Sequence, residues 1–243
     1  MWYYILVKYT IGVVVMETKK NYKYFVRRGL SPLAIVGLVL IVAGIVVTFG
    51  GIKGLDMMFY IGGIACIVLA SSAKAKEPDI NYQVSEKIKD MEERAMIRYE
   101  VYEKDFLKIV NPAKLHGYDY VSEGVYFKHG ADGKNRTSKY NAIQIFYTDK
   151  KLYVHGRRFS LINDVEDEEF GGVWNYTDLD RAQYEEREMP LPKNRKVTYQ
   201  VFEIIDNSGN KVVEISVSYG ADVDKVIEDI NHVISLRKRE TSK

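Results

Sequence analysis

The sequence is short of cysteine, histidine and net charge, and each shortage excludes something. A single cysteine, Cys66, stands in 243 residues, which rules out a disulfide framework within the chain and any multi-cysteine zinc site. The four histidines, His116, His129, His155 and His232, form no HExxH pair, and none pairs with the cysteine. No GxGxxG, GxxxxGK[ST] or GxSxG stretch exists, so phosphate-cradling loops and nucleophile elbows have no support. The reading is therefore of a protein that is not an enzyme, with no catalytic residue, no cofactor and no metal site. Lys and Arg number 35 against 33 Asp and Glu, a net charge of only +2. That balance, with no stripe of interleaved bases and aromatics, argues against a nucleic-acid partner. At 28% charged and 47% hydrophobic residues, the chain is neither a disordered polyampholyte nor a fibrous repeat.

What is present is segregated. The mean hydropathy of −0.22 averages a nearly charge-free stretch with a strongly polar remainder. No charge occurs between Leu30 and Ile52, a run that spans about 34 Å as a helix, against roughly 30 Å of hydrocarbon. Ser31 can cap this helix and Pro32 suits its first turn. A second uncharged run covers Met57 to Ala73 and is extended by Gly54 and Leu55, with Asp56 at the water interface. The short link between them, Gly50 to Gly54, predicts an antiparallel transmembrane hairpin with spans of about 30–52 and 55–73. Lys19, Lys20, Lys23, Arg27 and Arg28 precede the hairpin, and Lys74, Lys76, Lys87 and Lys89 follow it. By the positive-inside rule this is a multi-pass cell-membrane protein with both termini cytoplasmic. No ionisable residue lies inside either span, against a transporter acting alone. Gly37, Gly44 and Gly51 recur every seventh position, and Gly62, Cys66 and Ala70 every fourth, which predicts close packing within the hairpin; the alternative is oligomerisation. Residues 1–16 are apolar but interrupted by Lys8. They read as an interfacial segment or as an extension ahead of a start at Met16, with a third span as the alternative.

Beyond the hairpin, Glu77-Pro78-Asp79 reads as a break, and a helix is expected from about Ser85 to Val110, closed by Asn111-Pro112. Its apolar positions Ile88, Met91, Ala95, Tyr99, Tyr102, Phe106 and Ile109 predict packing onto the following domain. From His116 the period changes to that of strands. Tyr118–Phe127 is β-rich, Lys128–Lys139 a long turn, and Tyr140–Tyr147 and Leu152–Ile162 are strands. An acidic loop covers Asn163–Glu169, and Pro190 and Pro192 mark another loop. Lys196–Ile205 and Lys211–Tyr219 form a hairpin around Asp206–Asn210. An amphipathic helix follows, with Asp222 as its cap and Val223, Val226, Ile227, Ile230, Val233 and Ile234 as its apolar stripe. In the acidic loop, Asp164, Glu166, Asp167, Glu168 and Glu169 do not make a calcium loop, because Glu169 occupies the sixth place where glycine is needed. They read as solvated, with a basic partner surface as the functional alternative.

The turn Phe146-Tyr-Thr-Asp-Lys-Lys-Leu-Tyr-Val154, the later Tyr176-Thr-Asp-Leu-Asp180 and the terminal helix together resemble bacterial pleckstrin-homology-like domains. Several such domains follow a pair of membrane helices. The resemblance covers roughly residues 116–240, and the acidic insert at 163–169 departs from its tight form. It implies an α+β cytosolic domain: a curled antiparallel sheet or small barrel capped by a C-terminal helix. The organisation then reads as a basic segment (1–29), the hairpin (30–73), a linker with its helix (74–112) and the domain (113–243). The implied function is a membrane-anchored module that binds a protein partner at the membrane or in the cytosol. The alternatives are anionic phospholipid headgroup recognition and an accessory role in a membrane transport complex. In relatives that bind headgroups, the turn between the first two strands supplies cations. Lys134, Arg136 and Lys139 take that place here, with Arg157 and Arg158 on the neighbouring hairpin.

Overall fold

A computed structural model describes residues 18–26, 29–50, 54–72, 74–100, 102, 105–191, 194–218 and 222–241. The readings of residues 1–16, Gly51 and Lys53 lie outside the described residues. The chain divides into two compact units, Met1–Ile80 and Asn81–Lys243.

The first unit is helical. A short helix, α1 (residues 18–25), precedes α2 (Pro32–Phe49) and α3 (Leu55–Ser72). Ser31 caps α2 by accepting the Ala34 N–H at 3.2 Å, and Pro32 sits at the first helical position, where its missing N–H costs nothing. Asp56 opens α3 by accepting the N–H groups of Gly54 and Met57. Both helices are long and apolar enough to cross a membrane, and most of their residues are not buried. Gly37 and Gly44 are buried against the partner helix as expected, and so is Ala70 of the Gly62 row, but Gly63 rather than Gly62 is buried beside it. A Cβ on Gly37 would stand 2.7 Å from the Gly63 carbonyl oxygen, so the backbones touch where only hydrogen fits.

The second unit carries most of α4 (Glu77–Tyr99) and the β domain. The expected break at Glu77-Pro78-Asp79 is instead the first turn of α4, where proline loses no hydrogen bond. The helix ends at Tyr99, well before Val110, because Glu100 turns left-handed at φ 50°. Tyr102, Phe106 and Ile109 therefore lie beyond it.

Among the described residues nine strands follow: β1 (Ala113–Tyr118), β2 (Phe127–His129), β3 (Asn135–Thr137), β4 (Lys139–Tyr147), β5 (Lys151–Ser160), β6 (Glu168–Asn175), β7 (Leu179–Leu191), β8 (Arg195–Asp206) and β9 (Lys211–Val217). They form an antiparallel sheet β1-β4-β5-β6, a second sheet β7-β8-β9, and the separate hairpin β2-β3. The long turn at Lys128–Lys139 is thus partly strand. Pro190, read as loop, lies inside β7 opposite Lys196; β7 is an edge strand, where proline is tolerated. At the seam between the sheets the Ser218 N–H donates to the His116 carbonyl at 3.0 Å. The C-terminal helix α5 (Val223–Thr241) buries Val223, Val226, Ile230, Val233 and Ile234 against both sheets. Its Asn231 side chain grips Ala182 of β7, accepting its N–H at 2.8 Å and donating to its carbonyl at 3.0 Å. The core between the sheets holds Leu115, Ile143, Ile145, Leu152, Val154, Phe202, Ile204 and Ile215. Burying each large apolar side chain contributes about 1.5–3 kcal/mol before chain entropy is counted.

Candidate functional site

In a half-solvated antiparallel strand, burial alternates. In β4 it does not: seven of its nine residues are buried, all but Lys139 and Gln144. Ile143, Ile145 and Tyr147 belong to the inner core, while Phe146 packs on Ala95 of α4. The outer face of the first sheet is therefore covered by α4, which buries Val84, Ile88, Met91 and Ala95. Tyr99 closes this contact by donating to the Val154 carbonyl at 2.9 Å, with its ring edge-on to Tyr153 and His155.

Charge fastens the same contact. Asp167, just before β6, accepts from Lys87 at 3.1 Å, from Arg157 at 2.9 Å and from the Ser160 N–H at 3.1 Å. Arg157 reaches back to Asp90 on α4 at 2.6 Å. Burial opposes the charge on Asp90, but Arg94 and Arg157 outweigh it and hold its carboxyl below the ordinary range. Glu169 takes Arg94 and Arg98, Glu168 takes Arg158, and Glu166 takes Lys139. Much of the acidic stretch read as solvated is thus matched, carboxylate by carboxylate, to cations of α4, β4 and β5.

Where α4 leaves the β1 edge, a groove of about 830 Å³ opens. The period of β1 places Lys114, His116 and Tyr118 on the outer face, and Tyr120, Tyr140 and Tyr199 join them in the lining. The His116 Nδ1 and Tyr140 hydroxyl are 2.6 Å apart, and Tyr118 meets Tyr140 edge-on at 4.9 Å. Tyr120 stacks on Tyr199 at 5.0 Å. Burial lowers the His116 pKa, helped by Lys114, so the imidazole is neutral at pH 7. Burial likewise raises Tyr118, opposed by the Arg136 guanidinium beside it. The cations of the groove are Lys89, Lys114, Lys134 and Arg136, against one lining acid, Glu92. Lys114 pairs with Glu92, and Arg136 makes a two-pronged pair with Asp132 at 2.7 Å. Among the described residues no carboxylate lies within ion-pair reach of Lys89 or Lys134.

The five basic residues singled out from the sequence separate into two places. Lys134 and Arg136 line the groove. Arg136 is 1% exposed, a structural cation that fixes the β2-β3 loop through Asp132 and also reaches Asn81 of α4. Lys139, Arg157 and Arg158 join the ion-pair set around the acidic segment, Arg158 also reaching the buried Asp119 at 3.2 Å. The sequence reading missed His116, Lys89 and the four tyrosines. The available signal was the alternation His116-x-Tyr118-x-Tyr120 in a chain with 19 tyrosines.

No family model matches the sequence, and no curated protein or solved structure matches it significantly.

Proposed function

We propose that this chain is a membrane-anchored, non-enzymatic interaction protein. Its helical pair α2-α3 spans the bilayer as a hairpin with both flanks in the cytoplasm, and its second unit is a pleckstrin-homology-like module that binds a protein partner. The apolar helices and the basic residues on both sides of them support the anchor and its orientation. Sheets of four and three strands closed by a C-terminal helix support the module. The observation that carries the binding role is the groove: about 830 Å³, and rich in tyrosine, the residue that supplies large contact area at low entropic cost.

A second reading, recognition of an anionic headgroup, is favoured by Lys89 and Lys134, which line the groove with no carboxylate within ion-pair distance among the described residues. It is weakened by the ion pairs of Arg136, Lys139, Arg157 and Arg158. Photo-cross-linking in native membranes tests the role. A photoreactive residue in place of the exposed, groove-lining Thr198 gives a discrete protein adduct, while one in place of the exposed Lys225 on α5 does not. Adducts to lipid alone, or equal adducts from both positions, contradict a protein-binding groove.

A further inference from the structure

An open sheet edge invites another strand, and two edges of this fold are blunted. At the β1 edge the Ser218 N–H meets the His116 carbonyl. At the β7 edge Asn231 occupies both backbone groups of Ala182, and Pro190 has no N–H to offer. β6, the other edge of the first sheet, has neither device. Among the described residues, no hydrogen bond reaches the backbone of residues 168–175 except across the ladder to β5. Every residue of β6 is at least partly exposed, and the strand holds no lysine or proline. Gly171 and Gly172 leave its middle without side chains. In an antiparallel ladder alternate residues turn N–H and C=O to opposite sides. Alternate residues of β6 therefore present a donor and an acceptor away from β5.

We propose that β6 pairs antiparallel with β6 of a second copy of this chain, joining the two four-stranded sheets into one. This surface is independent of the groove. The strand is complementary to itself. Residues opposite one another in a ladder share a face, so a two-fold axis pairs only residues an even number of positions apart. With the axis at Gly172, Phe170 lies opposite Trp174 of the other copy, Glu169 opposite Asn175 and Gly171 opposite Val173. Cross-strand aromatic pairs of this kind stabilise sheets. Both rings sit half-exposed at the rim of the core, Phe170 over Gly156 of β5 and Trp174 over Gly172. An axis at Gly171 sets Glu168 against Trp174 and Glu169 against Val173, and moving the axis further either way shortens the pairing. The carboxylates do not oppose the union. Arg158 holds Glu168, Arg94 and Arg98 hold Glu169, and in the Gly172 register no acid faces an acid.

The test uses the full chain in detergent micelles, in a Cys66→Ser background. Opposite residues bring Cα atoms about 4.5–5.5 Å apart, within disulfide reach. Glu169→Cys with Asn175→Cys in one chain is expected to oxidise to a covalent dimer. Each single variant alone does not, because each position lies far from its own copy, and a mixture of the two single variants gives the mixed dimer. Sedimentation equilibrium gives a second measurement without introduced cysteines. Asn175→Lys, which meets Glu169 of the other copy twice per dimer, tightens the dimer at least about threefold, and Asn175→Glu weakens it by a similar factor. A chain that stays monomeric up to millimolar concentration overturns the proposal. So does a dimer indifferent to both changes at position 175, or one in which the single cysteine variants oxidise as fast as the pair. Either result leaves the groove's binding role standing.

Discussion

Asp167→Asn isolates the charge that holds α4 on the first sheet. The asparagine keeps an oxygen for the Ser160 N–H and removes only the negative charge shared by Lys87 and Arg157. The three side chains are 16%, 23% and 13% exposed, between the surface and interior regimes. Breaking a buried pair costs about 3–5 kcal/mol and an exposed one under about 1. Arg157 retains Asp90, and Lys87 retains the face of Phe159 at 5.2 Å, which softens the loss. The expected cost is therefore about 2 kcal/mol, or roughly thirtyfold in the opening equilibrium. Hydrogen exchange on the full chain in micelles reads it directly: residues 81–99 of α4 exchange about thirtyfold faster while β4 and α5 keep their rates. A Lys87→Met, Asp167→Asn cycle shows coupling of about 1 kcal/mol or more. Unchanged exchange in α4, or equal acceleration in β4 and α5, refutes the view that this network fastens the helix.

His155 is fully buried, and among the described residues neither ring nitrogen has a hydrogen-bond partner. Burial lowers its pKa, and so it does for His116, with Glu169 opposing and Arg98, Arg157 and Arg94 reinforcing the effect at His155. Above about pH 6.5 both imidazoles are neutral in folded and unfolded chains and contribute no pH dependence. As pH falls below that value the unfolded chain takes protons that the folded chain refuses, so stability falls. Denaturant midpoints between pH 7.5 and 5.5 check this; His155→Leu flattens the slope and is neutral to stabilising at pH 7.5, and an unchanged slope contradicts it. In the helical unit, Gly37→Val drives a side chain into the Gly63 carbonyl and widens the helix separation by about 1–2 Å, read by spin labels at Val39 and Ile64 in a Cys66→Ser background. An unchanged distance refutes the glycine contact.

Patterns carried by one stretch of chain were legible in the sequence. The two apolar runs, the Ser31 cap, the Asp206–Asn210 hairpin and the stripe of α5 each depend on neighbours a few positions apart, and each is found. The α4 boundaries were not legible: Pro78 looks like a breaker but fits a first turn, and Glu100 ends the helix without the glycine that advertises a left-handed cap. The choice of Gly63 over Gly62 depends on helix rotation against a partner, which spacing alone does not fix. Arg136 looked like a surface cation because its pairing with Asp132 becomes burial only when α4 covers it. The groove itself is assembled from Lys89, Tyr118, Tyr140 and Tyr199, residues far apart in the chain whose only common feature is the fold.

Topology mapping by cysteine labelling tests the anchored-hairpin account most directly. In a Cys66→Ser background, single cysteines replace Lys23, Gly54 or Lys225, and intact cells are treated with a membrane-impermeant maleimide. The account predicts labelling of position 54 from outside, and of positions 23 and 225 only after the membrane is opened. Labelling of position 225 in intact cells, or release of the chain from membranes by carbonate, contradicts it.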